Sequence, residues 1–241
     1  MTVGKMKLQS KENSLLKALP FGEPGTLQHR VLLQDKDGTE VSPWHDIPLY
    51  AAHGCVNFVC KTPKGSWAEY EPAIREPSAP LKLACRNRGP AHFSSNVPWN
   101  YGMLPRTWSD PEVEHDEYGG LSYSSGALEV IVLGSRIAQT GEVYAVKPLA
   151  SFALVNEAGL LSWKIIGIEA NDPLALKLRD AKDVEKLLGE TLRDIQEWLR
   201  TCHCTESGEH CLPKHFHEFH SSWSTTTAWH ILSLTFVLLI D

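Results

Sequence analysis

Between positions 202 and 220 the chain carries Cys202, His203, Cys204, His210, Cys211, His215, His217 and His220. Thiolates and imidazoles at such density can close a tetrahedral zinc site. The spacing argues against it. Cys202 and Cys204 form a C-x-C pair whose ligands lie too close for an established finger, and no second paired module follows at a regular interval. The stretch is read instead as a tail free of fold constraint. His45 and Asp46 offer a second chemical pair, an imidazole beside a carboxylate. Adjacent residues in a strand point to opposite faces, so this pair is read as structural.

The elements that would position any site are mostly strands. With 241 residues, 42% of them hydrophobic, the chain can bury one sizeable core, and a single domain is expected. A formal net charge of −6 provides no electrostatic footprint for nucleic acid. Met1 to Pro24 has scattered lysines and no apolar core of signal-peptide length, so a secretory route is not expected. The six cysteines then belong to a reducing compartment, and a cytoplasmic location is expected.

Residues 1–26 read as a mobile lead-in. Arg30–Gln34 and Thr39–Val41 flank Asp37-Gly38, which suits a tight hairpin. Val56–Thr62 and Trp67–Glu71 read as strands joined by a turn at Pro63, Lys64 and Gly65. Leu81–Arg86 and Leu128–Leu133 read as further strands, as do Glu142–Val146, Ser151–Val155 and Trp163–Glu169, with turns at Gly141, Pro148 and Gly159. Val184, Leu187 and Leu188 share one helical face, and Leu192, Ile195, Trp198 and Leu199 continue it after a break at Gly189. Ala228–Ile240 is apolar but short for a bilayer core, which takes about twenty residues. It is expected to pack on the barrel, on a partner or at a membrane surface rather than to span a membrane.

Longer word-like stretches carry a resemblance. Asn100 to Pro111 reads NYG-x-x-P-x-TW-x-DP, and Val130 to Ser135 reads V-x-x-x-GS. SPWHDIPLYA spans Ser42 to Ala51, and NDPLA-x-KL-x-D-x-xDVEK starts at Asn171. Together they resemble the eukaryotic-type soluble inorganic pyrophosphatases (family I). The resemblance implies an α+β fold, a single closed OB-like β-barrel of at least five strands with flanking helices, over roughly residues 27–200. Residues 201–241 have no evident counterpart in it.

The family reaction is Mg²⁺-dependent hydrolysis of diphosphate to two phosphates. Carried over position by position, the resemblance implies phosphate binding by Arg86, Tyr101 and Lys164. It implies catalytic roles for Tyr101 and Lys164, and metal binding by Glu71 and Glu129. It also exposes losses. Ser124, Gly126, Asn156 and Ser162 stand where the family has metal-binding aspartates. Lys61 replaces a glutamate and Glu69 a lysine, two charge reversals expected at facing positions in the cleft. Magnesium needs several anionic oxygens, so its binding is expected to be weakened. An acidic loop (Asp110, Glu114, Asp116, Glu117) and Glu157 are the only rescue on offer, and acidic loops are usually solvated.

Three outcomes follow. The chain is a pyrophosphatase homologue with weak or lost ordinary activity; or a non-catalytic protein binding an anionic ligand or partner; or an enzyme for an organic diphosphate, whose hydrocarbon would meet Val97, Pro98, Leu128, Leu160 and Leu161. The expected ligand is diphosphate or a small molecule bearing it. Eukaryotic family members are commonly dimers, so the resemblance admits a homodimer.

Overall fold

A computed structural model describes residues 16–112, 114–115, 121–155, 159–202 and 236–237. The Cys/His cluster beyond Cys202, together with Asp116, Glu117, Asn156 and Glu157, lies outside the described residues.

The Asp37-Gly38 hairpin forms as its chemistry dictates. Asp35 Oδ1 accepts from the amides of Asp37 and Thr39, each at 2.9 Å, and Gly38 takes φ +80°. This turn joins β2 (Arg30–Gln34) to β3 (Glu40–Val41). On the other side of β2 lies β1 (Lys17–Phe21), paired antiparallel from Lys17↔Gln34 to Phe21↔Arg30. Those residues fall in the stretch expected to be a lead-in, and the boundary at residue 26 is corrected accordingly. As an edge strand β1 leaves most of its side chains exposed, Leu19 and Phe21 among them, so it lacks the alternation that announces a strand.

Next in order come β4 (Val56–Thr62), β5 (Tyr70–Pro72) and β6 (Leu81–Leu83). β4 is buried along its whole length and pairs with barrel strands, whereas β5 pairs with β6 and β6 with β2. The expected joining of the two segments by a simple turn is therefore corrected: the turn at Pro63–Gly65 carries the chain from the barrel to a side sheet of order β1-β2-β6-β5. The strand expected over Leu81–Arg86 is broken at Ala84. Cys85–Arg86 (β7) turns back on Gly89–Pro90 (β8), with Asn87 and Arg88 both at positive φ.

The barrel closes in the order β13-β15-β14-β4-β9. Here β9 is Asn100–Met103, β13 Glu129–Leu133, β14 Val143–Val155 and β15 Leu161–Glu169. Between β9 and β13 lie the short β10 (Thr107–Trp108), β11 (Glu114–His115) and β12 (Leu121–Ser122), the last two paired together. β14 merges two segments expected as separate strands. Pro148 marks a register shift within one strand, with Pro148 opposite Gly167 and Ala150 opposite Ile166.

Period-two alternation divides the apolar residues of β13 between two cores. Val130 and Val132 join Phe58, Val146 and Ile165 on one side. Ile131 and Leu133 join Tyr101, Ile166 and Ile168 on the other, under the helices. Helix α1 (Ala181–Leu188) starts at Asp180, whose side chain accepts from the Asp183 amide, and ends at Gly189 with φ +61°. Helix α2 (Thr191–Thr201) buries Leu192, Ile195, Trp198 and Leu199 against the barrel, as their spacing predicts. Leu187 departs from the expected face and is exposed.

From the C-terminal apolar stretch, β16 (Phe236–Val237) pairs antiparallel with β10, Trp108 opposite Phe236. Among the described residues no helix is long and apolar enough to cross a membrane.

Candidate functional site

At the end of β13, Glu129 stands directly opposite Lys164 of β15 in the parallel ladder. Lys164 donates to Glu129 Oε2 and, at 3.0 Å, to Ser162 Oγ. From β4, Lys61 donates to the other oxygen, Glu129 Oε1, at 2.7 Å. Its ammonium passes 5.3 Å from the centroid of the Tyr101 ring on β9. One carboxylate is thus held between two ammonium groups. Both lysines are buried, and the Glu129 side chain keeps 24% of its surface accessible. Burial alone would push the Glu129 carboxyl up, but Lys164 and Lys61 outweigh it and hold it well below the usual carboxylate range.

Lys61 and Glu129 of this trio line a cleft of about 310 Å³, and Lys164 does not. Ser124, Ser125, Gly126 and Ala127 line one side of it. Glu69, Tyr70, Glu71 and Pro72 line another, and Trp44, Ile74, Met103 and Trp108 provide an apolar wall. Trp44 and Trp108 lie with ring centroids 5.6 Å apart, and the Trp44 indole donates to the Thr107 carbonyl at 2.9 Å.

The residues singled out in the sequence are distributed around this cleft unequally. Glu71 and Glu129 line it. Glu71 lies 3.4 Å from Lys82 Nζ. Arg86, on β7, donates to Glu69 Oε2 at 3.0 Å and so reaches the cleft through a lining residue. Tyr101 and Lys164 are buried behind Glu129. Burial and then the Glu129 charge push the Tyr101 phenol well above its ordinary range, which keeps it a neutral donor. Cys202, at the end of α2, is buried in the same core, and its thiol is pushed up to about 12, chiefly by burial.

The two reversed charges, Lys61 and Glu69, both line the cleft. Lys61 pairs with Glu129 and Glu69 with Arg86, so each has a partner of opposite sign. No binding role for Lys61 was expected, although the sequence carries one signal: a lone cation in the otherwise uncharged run VNFVCKT. His45 and Asp46 lie in a turn, not a strand. Ser42 Oγ lies 3.1 Å from His45 Nδ1, and Asp46 Oδ2 accepts from the Ser42 amide. The apolar mouth is also corrected. Val97, Leu128 and Leu161 are core residues that do not line the cleft; its apolar lining comes from Trp44, Ile74, Met103 and Trp108.

The family model for inorganic pyrophosphatase matches residues 58–229. The chain belongs to the inorganic pyrophosphatase family. The match continues past Arg200, beyond the segment in which the sequence resemblance was evident. Soluble inorganic pyrophosphatase 6, chloroplastic, of Arabidopsis thaliana is 37% identical over 188 residues, 78% of this chain and 62% of that protein. The inorganic pyrophosphatase of Emericella nidulans is 40% identical over 188 residues, 75% of this chain and 64% of that protein. The chain therefore spans a little over three fifths of the length of these pyrophosphatases.

Among solved pyrophosphatases, the type I enzyme of Toxoplasma gondii superposes with a TM-score of 0.73 at 33% identity, covering 77% of this chain and 82% of that one. An N-terminally truncated vacuolar soluble pyrophosphatase of Trypanosoma cruzi, in complex with PPi, gives a TM-score of 0.81 at 31% identity, covering 91% and 88%. The OB-like pyrophosphatase fold expected from the sequence is present.

Do the residues here fit the magnesium of that family? Among the described residues no group of three or more His, Cys, Asp or Glu side chains is placed to hold a metal ion. Both oxygens of Glu129 already accept from lysines. Ser124, Gly126 and Ser162 bring no charge to the cleft. A hard dication needs a near-octahedral set of oxygens, several of them anionic. The described residues do not fit it.

Proposed function

We propose that this chain is a pyrophosphatase-family protein that binds diphosphate, or a small molecule bearing it, with ordinary Mg²⁺-dependent hydrolysis weak or lost. The observation that carries this reading is the pairing of Glu129 with Lys61 and Lys164. The family's metal chemistry needs carboxylates left open to cations, and here that carboxylate is already neutralised. Binding is supported by the retained fold and by the PPi complex of the Trypanosoma cruzi relative. In this reading Arg86, Tyr101 and Lys164 remain the phosphate-side residues, Tyr101 and Lys164 the ones nearest any residual chemistry, and Glu71 and Glu129 what is left of the metal side.

The test measures phosphate release from PPi with Mg²⁺, Mn²⁺ or Zn²⁺, beside the thermal shift that PPi induces. Binding with little or no turnover supports the proposal. Brisk Mg²⁺-dependent turnover that Arg86→Ala abolishes overturns it in favour of an ordinary pyrophosphatase.

A second reading, an enzyme for an organic diphosphate, is favoured by apolar side chains, Trp44, Ile74 and Trp108, lining the same cleft as Lys61 and Glu129. Release of phosphate or diphosphate from an alkyl diphosphate, but not from PPi, selects it. The proposal also includes a cytoplasmic setting, a homodimer, and a barrel domain that ends near residue 200, with Phe236–Val237 pairing with β10 across that boundary. Localisation of a tagged chain, light scattering and limited proteolysis test these in turn.

A further inference from the structure

We infer that the cleft takes a diphosphate group without a divalent cation, the Lys61 ammonium meeting it in place of the metal while Lys164 neutralises Glu129 behind it. This rests on the binding proposed above and adds to it how the anion's charge is met.

A polyanion entering a partly desolvated cleft needs positive charge already in place, or must bring cations with it. Among the described residues three carboxylates line this cleft, and each is paired: Glu69 with Arg86, Glu71 with Lys82, Glu129 with both Lys61 and Lys164. Four cations against three anions leave these pairs at +1, and Lys61 is the one of the four cations that itself lines the cleft. An ammonium has three donors and Glu129 occupies one of those on Lys61, so the group can also hold a phosphate oxygen. The same cleft is lined by the hydroxyls of Ser124 and Ser162, neutral donors at positions where aspartates would repel an anion not escorted by metal, and by that of Ser125.

The second ammonium acts through the first pair. Lys164 occupies Glu129 Oε2 and neutralises the one carboxylate nearest the proposed anion, so Lys61 is not spent on it alone. The arrangement is closed to a competing dication for the same reason: a metal ion at Glu129 would have to displace two ammonium groups.

The experiment uses the full chain with sodium pyrophosphate and an alkyl diphosphate, each titrated calorimetrically in excess EDTA and again in Mg²⁺. The expected result is binding of at least one of them in EDTA, no tighter in Mg²⁺. Lys61→Gln should weaken that binding ~tenfold or more, as loss of a charge-assisted hydrogen bond does. Lys61→Glu should abolish it in EDTA. Unfolding midpoints without ligand check that each variant is folded; where Lys61→Glu is not, Lys61→Gln carries the test. Binding seen only with Mg²⁺ overturns this inference while leaving diphosphate binding intact. Binding in neither condition overturns both. An undiminished affinity of a folded Lys61→Gln in EDTA overturns the role given to Lys61.

Discussion

Lys61 and Glu129 stand on strands that do not pair, β4 and β13, yet Nζ and Oε1 meet at 2.7 Å. The strand between them, β9, places Tyr101 under the contact, with the ammonium 5.3 Å from the ring centroid. The pair thus ties three neighbouring barrel strands together at the end where the cleft opens.

Removing either lysine leaves a poorly solvated carboxylate with half its partners. Lys164→Met is expected to cost ~2–4 kcal/mol and Lys61→Met somewhat less, because Lys61 reaches the cleft. Adding Glu129→Gln to either variant should restore part of the loss, since the stranded charge goes with it. Urea unfolding of the singles and doubles measures this; strictly additive losses would show that the trio is not coupled.

Gly102 marks the closest approach in the barrel. A Cβ there would lie 2.0 Å from the Val59 carbonyl oxygen and 2.6 Å from the Phe58 ring. Gly102→Ala is therefore expected to cost ~3 kcal/mol or more, or to prevent folding. Gly159→Ala meets open space and bears only the strain of φ +76°, ~1–2 kcal/mol. Thermal denaturation of the two variants should rank them in that order.

His29 sets a pH dependence. It is buried, its Nδ1 lies 3.0 Å from the Tyr70 hydroxyl, and burial followed by the Arg30 charge lowers its pKa. The unfolded imidazole titrates near ~6.5. As pH falls through that value the unfolded chain takes up a proton before the folded chain does, so stability is present above it and declines on acidification. His29→Gln should flatten the fall in melting temperature between about pH 7 and pH 5; an unchanged slope would remove His29 from the account.

Thiol chemistry should separate Cys85 from Cys202. Cys85 is exposed, whereas Cys202 is buried with its thiol pushed up to about 12. A thiol-reactive disulfide at pH 8 should modify Cys85 quickly, and Cys85→Ser should remove one fast equivalent. Cys202→Ser should leave the fast phase unchanged.

Much of the fold was legible because its signals are local. Asp37-Gly38 specifies its hairpin through Asp35 and the positive φ of Gly38, whatever the rest of the chain does. The spacing of Leu192, Ile195 and Leu199 marks the inner face of α2 before any barrel is drawn. β1 was illegible because an edge strand with exposed side chains resembles a polar leader. The unity of β14 was illegible because Pro148 reads as a turn until a partner strand shows a register shift instead.

The site divides in the same way. The sequence by itself determined the barrel's family, the helix faces, and which residue types replace the aspartates: Ser124, Gly126 and Ser162 are uncharged in any conformation. Only the tertiary structure decided what the remaining charges do. Lys61, Glu129 and Lys164 are far apart in the chain, and strand order and register bring them together; their energies depend on distance and on exclusion of water. Hydrophobic period is written along the chain. Which lysine meets which carboxylate is set by how the barrel closes.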